Sequence, residues 1–130
     1  MMKRLFILLV TLMLLTGCAA RPSAGTYRQI TAQKAAELME SETGYIVLDV
    51  RTPAEYAERH IPGAINVPNE TIVSTAPEQL PDRKQLILVY CRSGNRSKQA
   101  ADKLAALGYT NIVEFGGINS WQGETVAGDE

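Results

Sequence analysis

The chain has 130 residues, 45% hydrophobic and 21% charged, which suits one ordinary globular domain and leaves no room for a second catalytic one. Thirteen Lys+Arg against fourteen Asp+Glu give a formal charge of -1, so no overall field draws it to nucleic acid. The average hides an asymmetry: Lys3 and Arg4 precede an unbroken apolar run, Leu5 to Leu15, and setting those two aside leaves a remainder near -3.

In chain order, the first feature is this basic stub and eleven-residue apolar run, followed by small residues. That is the layout of a secretory signal over residues 1–17, because a spanning helix needs about 20 apolar residues to cross roughly 30 Å. Leu15-Thr16-Gly17-Cys18 resembles the lipobox of bacterial lipoproteins. The resemblance implies that Cys18 becomes the lipidated first residue of the mature protein, exported and anchored to the membrane on its extracytoplasmic side. Acyl chains contribute about 0.8 kcal/mol per buried CH₂, so a multiply acylated Cys18 holds a domain at a bilayer without a transmembrane helix. Ala19 to Thr26 is small, polar and broken by Pro22 and Gly25, the composition of a tether. The expected organisation is a signal over 1–17, lipidated Cys and tether over 18–27, one folded domain over 28–126 and a short tail over 127–130.

Within the domain, Tyr45 to Val50 and Leu86 to Tyr90 are apolar runs without alternation, which suits strands buried on both faces of a parallel sheet. Tyr27 to Ile30, Ala64 to Val67 and Asn111 to Phe115 are shorter strand candidates. Between them, Thr31 can cap a helix over Ala32 to Glu40 with Ala35, Leu38 and Met39 on its apolar face. Thr52 and Pro53 supply a cap and an N1 proline before Ala54 to Arg59. Residues 69–82 predict one short helix plus loop. A longer helix runs from about Arg96 to Leu107, with Ala100, Ala101, Leu104, Ala105 and Leu107 inward and Gly108 placed to end it. Alternating strands and helices predict an α/β fold with about five strands, mostly parallel, and helices on both faces.

The most informative stretch is Cys91-Arg92-Ser93-Gly94-Asn95-Arg96, lying between a strand and a helix. Ligands of α/β sheets bind outside the carboxyl ends of strands, where this chain places its domain's single cysteine. A Gly-containing loop entering a helix aims several backbone N–H groups at one spot, and the helix dipole adds positive potential. Arg92 and Arg96 add two guanidiniums. Such a pocket favours the Cys91 thiolate and cradles an anion delivered to it, so the chemistry expected is thiolate attack on an anionic substrate.

With the segments around it, this loop resembles the rhodanese family of sulfurtransferases over about Arg28 to Gln122. Leu48 to Tyr56, continuing into His60-Ile61-Pro62-Gly63-Ala64-Ile65-Asn66, is similar to the family's first motif; Cys91 to Ser97 to its active-site loop; Gly116-Gly117-Ile118-Asn119-Ser120-Trp121 to its C-terminal motif. The resemblance implies a rhodanese-like fold and a nucleophilic Cys91 that takes up sulfane sulfur as a persulfide and passes it to a thiol or cyanide acceptor. Backbone N–H groups of Arg92, Ser93, Gly94, Asn95 and Arg96 would hold the outer sulfur, while the guanidiniums attract a small anionic donor such as thiosulfate. No metal or organic cofactor is required, and dispersed cysteines and one histidine supply no typical zinc site.

Phosphatases with a similar strand-loop-helix place arginine six positions after the cysteine. Here Arg96 is five positions on and Ser97 follows, which disfavours phosphatase or arsenate reductase chemistry. The second reading is a sulfur carrier or anion-binding module of the cell envelope without turnover. Asp49 and Arg51, near the site on the neighbouring strand, read as supporting residues, with an Arg51 to Glu55 ion pair expected. His60, before a Pro-Gly turn, reads as structural, and Trp121 as a cover near the loop. The expected partners are the sulfur donor, a thiol acceptor or reductant, and the membrane through Cys18, with no nucleic acid; the chain is expected to be a monomer.

Overall fold

The computed structural model describes residues 26–128. The expected signal, the lipid-bearing Cys18 and most of the tether lie outside the described residues. Five strands, β1 (Arg28–Gln29), β2 (Ile46–Asp49), β3 (Ile65–Asn66), β4 (Ile87–Cys91) and β5 (Ile112–Gly117), form one parallel sheet in the order β1-β5-β4-β2-β3. The longest apolar runs take the middle of the sheet, because only central strands are covered on both faces. Helices α1 (Ala32–Ser41), α2 (Pro53–Glu58) and α3 (Asn95–Ala106) connect them.

Side chains alternate across the strands and separate two cores. Ile87, Val89 and Cys91 of β4 join Ala100, Ala101, Leu104 and Ala105 of α3 on one face, whereas Leu88 and Tyr90 join Ala32 and Ala35 of α1 on the other. Leu38 and Met39 of α1 and Leu107 after α3 are partly buried at the margins of these cores.

The helices begin and end where local chemistry sets them. Lys34 N–H donates to the Thr31 hydroxyl at 3.1 Å. Thr52 and Glu55 form a reciprocal capping box, with Pro53 in the first turn. Gly108, at φ +95°, stops α3 in the left-handed region. The expected helix within 69–82 is only a 3-10 turn, Asn69–Thr71, consistent with Pro68 before it and Pro77 and Pro81 beyond. Past the last strand the chain folds back: His60 and Val126 exchange backbone hydrogen bonds at 2.8 and 2.9 Å, and Gly128 N–H donates to Ala57 O at 2.8 Å. The expected tail over 127–130 is therefore still tied to the domain at Gly128.

One irregularity positions the site. Val89 pairs with Glu114 but Cys91 pairs with Gly117, so β5 spends three steps where β4 spends two. The extra residue makes a bulge, and Gly116 within it sits at φ +87°. The bulge turns the end of β5 beneath the loop that follows Cys91.

Candidate active site

Cys91 ends the central strand on the α3 face with 1% of its surface exposed. The next residues reverse direction and start α3 with Gly94 as N-cap at φ +112°, a left-handed conformation that glycine adopts without strain. No side chain caps this helix. The sulfur lies beside this start: Gly94 N–H donates to Sγ at 3.0 Å, and the Ser97 hydroxyl lies 3.3 Å away. Burial alone would push the Cys91 thiol up, but hydrogen bonds from the Ser97 hydroxyl and from the backbone of Ser97, Gly94 and Ser93 outweigh it and hold the thiol below its ordinary value.

The loop rests directly on β5. A Cβ at Gly117 would sit 1.9 Å from Arg92 O and 2.2 Å from its carbonyl carbon, so only glycine lets the loop backbone pass. Asn119 N–H then donates to Arg92 O at 3.2 Å. Thus the cover expected of Trp121 comes from the backbone of Gly117 and Asn119. Trp121 itself packs near Phe115, 6.1 Å between ring centroids, and lines an apolar hollow of about 430 Å³ with Thr31, Ala32 and Ala36.

The two loop arginines have different fates. Arg96 makes a two-pronged pair with Glu55 of α2, at 2.7 and 3.0 Å, so part of the positive charge expected to attract an anionic donor is engaged by a carboxylate of the chain itself. The pairing, reinforced by Thr52 and opposed by burial, holds the Glu55 carboxyl down at about 2. Glu55 raises the Arg96 guanidinium in turn, and the charge of Cys91 adds a smaller pull. Arg92 is exposed, and its side chain makes no hydrogen bond or ion pair among the described residues. It lines a polar cleft of about 180 Å³ with Arg51, Glu55, Glu58, Arg59 and Asn119. Ser93 and Asn95 are exposed on the loop.

Asp49 and Arg51 do lie on the strand beside Cys91, with Asp49 paired to Tyr90 in the register. The expected Arg51 to Glu55 ion pair is absent. Arg51 instead grips Asp49 with contacts of 2.6, 3.0 and 3.1 Å and donates to Arg59 O at 2.6 Å, at 4% and 0% side-chain exposure for the pair. The reason is positional: Arg51 precedes the cap of α2, so the helical i,i+4 rule does not govern it. Burial opposes the Arg51 charge, but Asp49 more than compensates and holds it above its ordinary value. Burial, then the Asp49 charge, pushes the neighbouring Tyr90 hydroxyl up. His60 is fully buried, stacked on Tyr56 at 3.8 Å, with Nδ1 2.8 Å from Tyr56 O, which fits a structural part.

Two residues at the site were not singled out by sequence reasoning. Ser97 and Glu114 are both buried, and Ser97 Oγ lies 2.8 Å from Glu114 Oε1. Both left a trace: Ser97 shares the i, i+3, i+4, i+7 stripe of Ala100, Ala101 and Leu104, and Glu114 is a lone charge inside an apolar strand.

The profile of the rhodanese-like domain matches residues 31–124. The chain belongs to the rhodanese-like domain family. Among similar proteins, the thiosulfate sulfurtransferase PspE of Escherichia coli (strain K12) is 37% identical over 71 residues, covering 55% of this chain and 68% of that protein. A sulfurtransferase of Allochromatium vinosum is 34% identical over 94 residues, covering 72% of this chain and 86% of that protein. The solved structure of a rhodanese-related protein from Thermoplasma volcanium is 33% identical, with a TM-score of 0.65 over 77% of this chain and 98% of that one. The fold of this rhodanese-like domain is thereby shared with solved rhodaneses, and its relatives point to sulfur transfer or sulfur carriage as the class of chemistry.

Proposed function

We propose that the protein is a sulfurtransferase of the thiosulfate:cyanide type, in which Cys91 attacks the outer sulfur of a small anionic donor. With thiosulfate, the thiolate forms an S–S bond, the donor's S–S bond breaks and sulfite leaves, so the negative charge of the thiolate passes to the outer sulfur of the persulfide. An acceptor thiolate or cyanide then takes that sulfur and regenerates the Cys91 thiolate. The observation that carries this reading is the sulfur at a helix start, receiving Gly94 N–H at 3.0 Å with the backbone of Ser93 and Ser97 also bonded to it. Enclosure of Sγ favours a slender donor, and the unpaired Arg92 at the cleft supplies attraction for an anion.

The test is thiocyanate production from thiosulfate and cyanide by the wild type and by Cys91→Ser. Turnover lost in Cys91→Ser, with one extra sulfur on the Cys91 peptide of the wild type, is the expected result; unchanged turnover in the variant overturns the reading. A sulfur carrier is the second reading, favoured by the engagement of Arg96 with Glu55, which leaves one loop guanidinium to recruit a donor. Stoichiometric persulfide on Cys91 without turnover would select it.

We further propose that the protein is exported and held at the extracytoplasmic membrane surface by lipid on Cys18, on the strength of the Leu15 to Cys18 sequence behind its apolar run. Mass spectrometry of the native N-terminal peptide should find acyl chains on Cys18, and a peptide that retains residues before Cys18 overturns the proposal.

A further inference from the structure

Glu114 is a carboxyl group with 2% exposure that the sulfur-transfer scheme does not use. It lies on the α3 face of β5, the same face as Cys91, because the alternation places Val113 and Phe115 on the other side. Its Oε1 accepts Gly116 N–H from the bulge at 2.8 Å, and its Oε2 lies 3.3 Å from the Gln29 side-chain amide. Both are donors, so the carboxyl is held as an acceptor.

The hydroxyl of Ser97 stands between this carboxyl and the sulfur. Three acceptors surround its single hydrogen, Glu114 Oε1 at 2.8 Å, Gly94 O at 3.0 Å and Gly116 O at 3.2 Å, while the Cys91 thiol donates to its oxygen at 3.3 Å and becomes a fourth acceptor once it ionises. A hydroxyl donates once. When the hydrogen points to Glu114, the Cys91 S–H can donate to Ser97 Oγ but a thiolate cannot be served by it. When it points to Cys91, Glu114 loses that donor.

We propose that Glu114 is a positioning residue that restrains the ionisation of Cys91 by competing with the sulfur for the Ser97 hydrogen. Loss of the Cys91 proton turns the hydroxyl from the carboxylate toward the thiolate, and the proton leaves to solvent or to the acceptor's base. The inference rests on Cys91 being the reacting sulfur. The other charged or titratable groups that bear on the pair are Arg96 of α3, with its partner Glu55 of α2, and Tyr27 ahead of β1, pushed up by burial and then by Asp102 of α3 and Glu114. None of them stands between Sγ and Oε1 in the described hydrogen bonds; Ser97 alone does.

The test follows the thiolate by its ultraviolet absorbance against pH, with the Cys91→Ser trace subtracted, in full-length protein carrying Cys18→Ser so that Cys91 is the sole thiol. Glu114→Gln keeps the shape and removes the charge. Its midpoint should fall by about one pH unit, a tenfold easier ionisation. In a Ser97→Ala background the same substitution should shift the midpoint by less than half as much, because the connecting hydroxyl is gone. A coincident or upward-shifted midpoint in Glu114→Gln overturns the proposal, and so does a full shift retained without Ser97. If Glu114→Gln does not fold, the wild type decides: the Glu114 side-chain carboxyl carbon, followed by ¹³C resonance, should move at the Cys91 midpoint, and a carbon that does not respond overturns the proposal. The titration needs no sulfur donor, so a shifted midpoint supports the restraint even where the thiocyanate assay fails and sinks the sulfurtransferase reading.

Discussion

The ends of β2 and β4 lie side by side, and a carboxylate is buried in a polar cluster at each, Asp49 of β2 at one and Glu114 of the adjoining β5 at the other, but the hydrogen-bond accounts of the two differ. At β2, Nε and Nη2 of Arg51 meet the two Asp49 oxygens and Arg59 O, so every acceptor has a donor. Around Cys91, one Ser97 hydrogen faces three acceptors, and a fourth when the thiol ionises. A matched cluster, in which each acceptor has its own donor, fixes the backbone. An unmatched one has alternative arrangements of similar geometry, which is what a group that must gain and lose a proton requires.

The largest effect should come from unbalancing the matched cluster. Arg51→Met leaves Asp49 buried without its cation and should cost about 3–5 kcal/mol in urea denaturation, whereas the double change Asp49→Leu with Arg51→Met should recover most of it. If the cluster at β2 is only a brace, the folded fraction of the double variant keeps the wild-type thiolate midpoint of Cys91. A shifted midpoint there would mean that the two strand ends act as one electrostatic unit.

Next in size is Gly117→Ala, which attacks the support of the unmatched cluster. A methyl group 1.9 Å from Arg92 O must push the loop away, with an expected cost of about 1–3 kcal/mol for overpacking. The loop also carries the donors to Sγ, so turnover should fall far more than stability, read as kcat against the thermal midpoint. Equal losses in both would mean that the loop moves without altering the sulfur's environment.

The contrast between the clusters also tells which features were legible in the chain. Features set by neighbours in sequence were open to reading: the Thr31 and Thr52 caps, the Gly108 stop, the apolar runs of β2 and β4, and the placement of Cys91 at a strand end before a helix. Features set by the path of the chain were not. Glu55 pairs with Arg96, 41 residues away, because α2 and α3 present their ends to the same corner. Glu114 reaches Ser97 from a strand whose bulge no spacing rule reveals, although a charge in a continuous apolar strand announces a buried carboxyl in need of partners.

The smallest expected effect concerns the link between the clusters, the Glu55 to Arg96 pair, which draws on α2 beside one and α3 beside the other. Glu55→Gln removes the charge that occupies Arg96, leaving two loop guanidiniums to face an anion where the wild type has one. The Michaelis constant for thiosulfate should then fall about threefold, the scale of a partly exposed ion pair, with the gain shrinking at high salt. Stability supplies an independent reading. The Glu55 carboxyl is lowered from 4.5 to about 2 in the folded protein, so its contribution is fully present above about pH 4.5 and is lost as pH falls through about 2. The stability gap between wild type and Glu55→Gln should therefore close over that acid window in denaturation curves. A closing gap with an unchanged Michaelis constant would mean that the pair only braces the corner, and that Arg92 alone meets the donor.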